Sequence, residues 1–578
     1  NVIAHDYVQA LIWTQTAASA LSTQNRELTS PRVEKLLRLF GSLLPPFTAC
    51  QPTSPKKPKH KERWLHVFNQ ALPYGGHTAM ATRWMQDGVA NRTHSVAVLA
   101  QKQDLPEELR AAVRASGGKV HAADLTQSLL DRAAWLRSLA AANADYVVLH
   151  IDVEDVIALS AFAAAGGPPV FLVNHAAHIY WNGASNVDVI VNCRGSKLEA
   201  HWTQAYRNAA RCATVPIPLA LPEDNAPSEA LLKQRREKAR ETLGIPQDAV
   251  FILTSGDSYK FTAMEELDFI AVCEDLLRQM PEIFIGAIGP AEDERWAAAR
   301  ERTGSHLRTF GRQLRSQVPL FLQAADLYIE GFPFGSTTAL LEAGIRAIPV
   351  VLSPAQCPPP YGTDGIAVDN VLIRAASLED YKSNILDLCR NDEQRARLGT
   401  QLRDSILKHH TGAGWRNYVE QAIQVAPKTH SLQTISPPIP TEPAAHLYWV
   451  AFKRASAPWL MRRVEDAIWQ AISLGAKPMS LDQNAGASQS PLTAGVLAEL
   501  TKQYSHHLYL EAAKKSGAAD PVPAHSSRTK TWAKAILSSL GPAGEMVLRL
   551  IRRIKTWREA KFVRCENDKA SKNAGPKI

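Results

Sequence analysis

AADLYIEGFPFGSTTALLEAGIRAIPVVLSP, residues 324–354, decides how the rest of this chain is read. Its apolar run Leu327-Tyr328-Ile329 predicts a short buried strand, and Gly331, Pro333 and Gly335 mark a turn. Segment 337–346 predicts a helix that Ser336 or Thr337 can cap, and Ile348 to Leu352 predicts a second strand. A βαβ unit of this kind aims backbone N–H groups and the positive end of a helix at an anion. Glu342 sits in the helix beyond its first turn, where a carboxylate can accept two hydrogen bonds from a diol such as a ribose. That pairing suits a nucleotide whose phosphates rest on the turn. The same letters also fit a βαβ unit whose turn is purely structural.

The run Leu340-Leu341-Glu342-Ala343, followed by Pro349-Val350-Val351, resembles the donor-site segment of GT-B glycosyltransferases. In that superfamily the glutamate holds the ribose of a sugar nucleotide, so the resemblance implies that role for Glu342. Phe332-Pro333-Phe334-Gly335-Ser336-Thr337-Thr338 is similar to the O-GlcNAc transferase and HMW1C-like branch, with GT4-like wording in the helix. A Gly-x-Thr-type turn contacts the diphosphate there, which implies Gly335, Ser336, Thr337 and Thr338 as donor contacts. Many retaining members carry another glutamate eight residues earlier, and here that position is Phe334. The departure puts the two-glutamate version in doubt and favours direct displacement with inversion.

With 578 residues, 45% of them hydrophobic and 21% charged, the chain can bury several cores, and two to four domains are expected. Seven cysteines, at 50, 193, 212, 273, 357, 389 and 565, form no C-x-x-C pair, so the reading is a reducing compartment without a disulfide framework. No apolar run reaches the roughly 18 residues that span a bilayer. Net charge is +9, and residues 526–578 alone hold 13 Lys/Arg against 4 acids, 13 − 4 = +9. The body is therefore charge-balanced, which argues against a core that wraps nucleic acid.

Residues 1–48 read as a helical extension, and the Pro/Lys stretch 49–63 as a linker. From Trp64, strands near 64–69, 94–99, 119–123, 145–151, 169–174, 187–192 and 213–217 alternate with helices. That alternation predicts a parallel sheet over 64–222. A second set, within 223–425, places strands near 249–254, 283–288, 326–329 and 348–352, and a helix around Trp415 to Ile423 could cross back. The fold class is thus α/β: two doubly wound Rossmann-like domains facing a cleft, the GT-B plan, with helical extensions at both ends. Residues 426–445 read as a Pro-rich linker and 446–578 as a helical, basic extension. Within it, 543–563 forms a basic amphipathic pattern, suited either to an anionic membrane interface or to packing on the body.

Lys260, in the loop Thr254-Ser255-Gly256-Asp257-Ser258-Tyr259-Lys260 after a strand, can neutralise a diphosphate leaving group. The Tyr-Lys pair is similar to the O-GlcNAc transferase loop, whose lysine contacts the diphosphate; Ser255 and Gly256 join it as donor contacts. Arg312 follows Phe310-Gly311, a loop similar to the one that receives the nucleobase in GT-B enzymes, and a helix-capping role is an equal account of it. In the first domain Gly75-Gly76-His77 lets a loop approach a ligand closely, and it resembles the first Gly-rich loop of those enzymes. His77 and His178 are candidate bases, and both also fit structural histidines. Asp152, Glu154 and Asp155 could face the cleft. His175 and His178 could bind a metal at i, i+3, yet no third ligand is suitably spaced, and no metal is expected.

The expected activity is metal-independent glycosyl transfer from a nucleotide diphosphate sugar, with UDP as the expected nucleotide, and no other cofactor. The acceptor is a protein, a glycan or a lipid-linked glycan, without nucleic acid, in the cytoplasm or on the inner face of a membrane. A sugar-nucleotide epimerase and an inactive scaffold that binds a nucleotide sugar or a partner are the alternatives.

Overall fold

The computed structural model describes residues 2–23, 25–47, 61–73, 76–87, 91–207, 209–222 and 228–474. Gly75, most of the 49–63 linker and the basic stretch 543–563 lie outside them. Val- and Ile-rich runs form two all-parallel sheets, buried on both faces because helices cover each side. The first has strands β1 (Glu62–Phe68), β2 (Arg92–Val98), β3 (Val120–Ala122), β4 (Tyr146–His150), β5 (Val170–Asn174), β6 (Val189–Asn192) and β7 (Cys212–Thr214). Their order is β3-β2-β1-β4-β5-β6-β7. The second has β8 (Phe251–Ser255), β9 (Phe284–Ile288), β10 (Leu307–Thr309), β11 (Leu327–Ile329) and β12 (Val350–Val351), in the order β10-β9-β8-β11-β12. In each sheet the order reverses once, between β1 and β4 and between β8 and β11. Crevices for ligands open at the carboxyl ends of strands at such reversals. The loops that follow β1, β4, β8 and β11 are therefore the ones the topology offers to a ligand.

The helices of the first domain are α1 (Val2–Leu21), α2 (Pro31–Ser42), α3 (Gly76–Gln86), α4 (Glu107–Ser116), α5 (Leu129–Asn143), α6 (Ile157–Ala161) and α7 (Lys197–His201). Those of the second are α8 (Glu229–Leu243), α9 (Phe269–Gln279), α10 (Glu294–Arg302), α11 (Val318–Ala324), α12 (Thr337–Gly344), α13 (Leu378–Arg390) and α14 (Asp392–His410). The described residues close with α15 (Gly412–Val425), α16 (Pro443–Ala455) and α17 (Ala457–Ser473). This is the two-sheet plan expected from the sequence. Strand β10 and helix α14 are not in that expectation: β10 is a three-residue edge strand, and α14 has a charged surface with few buried positions.

The two N-terminal helices are built into the first domain. Leu11, Ile12, Leu37 and Phe40 share one core with Leu65 and Val67 of β1 and Val147 and Leu149 of β4. The Glu34 carboxylate accepts from the Gly183 amide at 2.7 Å and the Ser185 hydroxyl at 2.6 Å. Arg137 of α5 is buried and donates to five carbonyls, those of Gly41, Leu44, Pro45, Ser160 and Ala161. Helix α15 does cross back: Trp415 and Val419 pack with Trp64, Trp84 and Val148, and Trp415 Nε1 donates to the Pro216 carbonyl at 2.7 Å. The Pro-rich stretch 426–445, read as a linker, is held against the first domain instead, with His430 Nδ1 at 2.6 Å from Asp188 Oδ2. Helix α16 then reaches the second domain, where the Tyr448 hydroxyl donates to the Pro333 carbonyl at 2.7 Å.

Replacing Arg137 by Met is expected to lower the unfolding free energy by roughly 3 kcal/mol, because buried carbonyls lose their donor. A urea melt matching the parent's would contradict that account of how α2 is held.

Candidate functional site

The loops at the two strand-order reversals meet across a cavity of about 540 Å³. After β8 the chain makes one tight turn, Ser258–Phe261, which Asp257 caps by accepting from the Ser258 amide at 2.9 Å. That turn delivers Lys260, whose Nζ donates to the Gly335 carbonyl at 2.6 Å and lies 3.1 Å from Ser336 Oγ. Two glycines make room. A Cβ on Gly256 would press against both Lys260 Cδ and Ser336 Oγ, at 3.1 Å, and one on Gly335 would fall 1.9 Å from Glu330 Oε1. Ser336 precedes α12, so Thr337, Thr338 and Ala339 present first-turn N–H groups without intrahelical partners beside the ammonium. Burial, and then the nearby Arg194 guanidinium, pulls Lys260 down to about 8. Ser255, Ser336, Thr337 and Thr338 line the same cavity as Lys260 and Glu342.

Glu342 projects from α12 into this space, almost fully buried. Its Oε1 is 2.8 Å from Arg83 Nη2 of α3 and is also bonded by Arg315. One carboxylate thus joins the two domains. Both contacts fall on Oε1, which leaves the lone pairs of Oε2 for a hydroxyl. Gly76, at the start of α3, approaches the same place: a Cβ there would lie 3.8 Å from Thr338 Oγ1. Arg312 is not a lining residue. It points outward, exposed, with Nη2 3.4 Å from Asp257 Oδ2, and Arg315, one turn later, faces the cavity instead.

His77 stacks on His175 with ring centroids 3.7 Å apart, at the open end of a row of imidazoles running inward. His66 Nδ1 is 3.1 Å from His150 Nε2, and His66 Nε2 is 3.0 Å from His94 Nδ1. Burial pushes His77 down to about 4 and His178 down to about 3, with the Arg194 and Lys260 cations adding to the effect on His178. Both are therefore neutral at pH 7. The His178 ring packs on Phe334 at 5.1 Å and on Trp449 at 5.8 Å. Phe334, eight residues before Glu342, is buried among the rings of His178, Tyr361, Trp449 and Phe452. The nearest upstream carboxylate, Glu330, accepts from the Ser353 and Thr363 amides at 2.9 and 2.8 Å.

A second cavity, of about 290 Å³, adjoins the first and shares His77, His175, His178, Tyr259 and Phe334 with it. Asp152 and Glu154, from the loop after β4, line it together with Trp459 and Arg463 of α17. Burial, then Glu154 and Asp155, raises Asp152 to about 7. Asp155 does not line this space; its carboxylate is buried and holds the amide of Ala158 at 2.8 Å.

Arg83, Arg194, Arg315 and the aromatic face of α16 and α17 were not singled out from the sequence. Arg194 had a signal, since Asn192-Cys193-Arg194-Gly195 follows an apolar strand as the Lys260 loop does. It reaches the second domain through Asp364, at 2.9 Å. Arg83 falls on the same helical face as Gly76 and Met80, two other lining residues. Nothing local marks Arg315 off from Arg312. Among the described residues, no group of three His, Cys, Asp or Glu is placed to hold a metal ion. Nor is any helix there long and apolar enough to cross a membrane.

No protein-family model matches the chain, and no curated protein sequence does. Among solved structures, a glycosyltransferase from Rickettsia africae is similar at 13% identity, over 63% of this chain and 98% of its own, with a TM-score of 0.48. A variant of S. aureus TarM, in complex with fondaparinux, α-GlcNAc-glycerol and UDP, is similar at 11% identity over 63% of this chain and 99% of its own, with a TM-score of 0.47. An O-GlcNAc transferase variant from Thermobaculum terrenum is similar at 13% identity over 80% of this chain and 79% of its own, with a TM-score of 0.43. At these values the likenesses assign no role to the site, whose reading rests on its own geometry.

The Lys260 charge is present below about pH 8 and is lost above it. A bound diphosphate favours the charged form, so UDP affinity is expected to hold steady from pH 7 to 8 and then fall, roughly tenfold over the next pH units. In Lys260→Met the affinity should be weaker and flat over that range. Calorimetric titration at stepped pH reads both, and a parent whose affinity does not respond to pH would remove the lysine from the anion site.

Proposed function

We propose that this chain transfers a glycosyl group from a nucleotide diphosphate sugar, with UDP as the carrier, to an acceptor hydroxyl. The observation that carries this reading is one juxtaposition. The ammonium of Lys260, the open amides at the start of α12 and the Glu342 carboxylate line a single cavity between two parallel sheets, at the reversal of each. A diphosphate matches the cation and the amides, and a ribose diol matches Oε2 of Glu342.

In this mechanism the acceptor oxygen attacks the anomeric carbon, and the bond from that carbon to the diphosphate oxygen breaks. The electron pair leaves with the diphosphate, whose growing charge meets Lys260 and the α12 amides, groups already oriented before reaction. Protein cations supply that charge stabilisation, so the proposed reaction does not require a divalent ion. With Phe334 in place of a carboxylate beside the sugar, a single displacement with inversion is the favoured course. His77 and His178 border this space and are the candidate bases; burial holds both well below the ordinary imidazole range, and the negative charge of a bound diphosphate would raise them toward a value suited to accept the proton. The setting we favour is cytoplasmic, beside an anionic membrane surface, a reading supported by the +9 excess of residues 526–578.

Incubation with labelled UDP-hexoses and UDP-N-acetylhexosamines tests the proposal. Release of UDP with transfer or hydrolysis of the sugar is expected, and Lys260→Ala should lower the rate on the order of 10²-fold or more. Binding without turnover would leave an inactive scaffold, and interconversion of sugar epimers would mark an epimerase; either outcome overturns glycosyl transfer.

A further inference from the structure

We propose that the smaller cavity is the acceptor subsite, that it takes a neutral pyranose ring, and that the acceptor is therefore a glycan. This rests on the donor reading above. The cavity lies beside the donor cavity, separated from it only by side chains that line both, so a hydroxyl held there can face the sugar to be transferred. Its volume of about 290 Å³ is at the small end of ligand sites. That is room for one ring rather than a stretch of polypeptide.

Its chemistry narrows the occupant further. The wall formed by Tyr259 and Trp459 is a pair of stacked rings, 4.4 Å between centroids and 19° between planes, and Phe334 and His178 continue it. An apolar aromatic lining of this kind receives the C–H groups of a sugar ring. Asp152 and Glu154, in the same lining, can only accept hydrogen bonds when ionised, and the Asn182 side chain also borders the space. Hydroxyl groups are what such a set is built to receive. An anionic ligand would meet Asp152 and Glu154. A cationic ligand would meet Arg463, which lies 5.5 Å over the Trp459 ring, with Lys260 behind the shared wall. A neutral, hydroxyl-rich ring meets neither penalty.

Helix α17 matters most here, because it brings Trp459 and Arg463 into the lining from outside the two sheets. The Asp152 carboxyl, raised to about 7 by burial and by Glu154, is also suited to exchange a hydrogen bond with a hydroxyl near neutral pH. Acceptor choice is thus set by the C-terminal helices and donor choice by the βαβ unit.

Saturation-transfer NMR on the full chain, with UDP present, tests this using methyl hexopyranosides, methyl N-acetylhexosaminides and short oligosaccharides made from them. At least one glycoside should receive saturation, and the signal should drop at least fivefold in Trp459→Ala and in Asp152→Asn. The UDP Kd of both variants should stay within twofold of the parent's, which shows that they fold and that the donor side is intact. In transfer assays with the same glycan, the acceptor KM should rise on the order of tenfold in both variants. Glycoside signals that are absent from the parent, or unchanged in both variants, overturn the inference. So does transfer to a polypeptide with no glycan accepted, and in that case UDP-sugar turnover persists and the donor reading stands.

Discussion

A lysine ammonium buried against the positive end of a helix is an arrangement that electrostatics resists. Lys260 is hydrogen-bonded to a carbonyl and a hydroxyl, both neutral, and Arg194 adds further positive charge nearby. Burial and that neighbour already weaken the hold of the lysine on its proton. A negative ligand would stabilise such a group, and the amides at the start of α12, which lack intrahelical partners, would be stabilised by the same charge. The arrangement is held by positions that tolerate little change: Gly256 and Gly335 leave the space that the lysine and Glu330 occupy.

The rest of the structure serves to keep these groups in register. Each sheet carries its half of the site to a reversal of strand order, and Glu342, through Arg83 and Arg315, ties the halves together. Outside the sheets, α16 is fixed to the segment before α12 and to the loop of Tyr361 by two tyrosines: Tyr448 donates to the Pro333 carbonyl and Tyr361 to the Ala445 carbonyl, each at 2.7 Å. The N-terminal helices do the same for the first domain through Glu34 and Arg137. What composition marks as extensions is part of the packed body wherever the chain is described.

Most of the fold was legible because parallel sheets write long apolar runs into the sequence. The exceptions are instructive. β10 is too short to leave a periodic signal, and α14 buries only a few of its side chains, so neither stands out from its neighbours. The stretch 426–445 has the composition of a spacer, yet a His430–Asp188 contact between residues far apart in sequence fastens it. The site divided in the same way. The turn at 335–338 and the Lys260 loop each carry local grammar: glycines after a strand, then a helix. Their meeting, 75 residues apart in the chain, is tertiary and was suggested only by resemblance. Arg83 and Arg194 come from the other domain; the strand before Arg194 marks its loop, but the partner of either across the cleft is set by tertiary structure. Arg312 and Arg315 differ only in where a tight turn points them.

The most direct test is a crystal structure of the chain with UDP. The account predicts diphosphate oxygens within hydrogen-bonding distance, on the order of 3 Å, of Lys260 Nζ and of the amides of 337–339, with the ribose on Glu342. A diphosphate bound elsewhere, or one in the cavity that leaves both Lys260 and the α12 amides untouched, would contradict it.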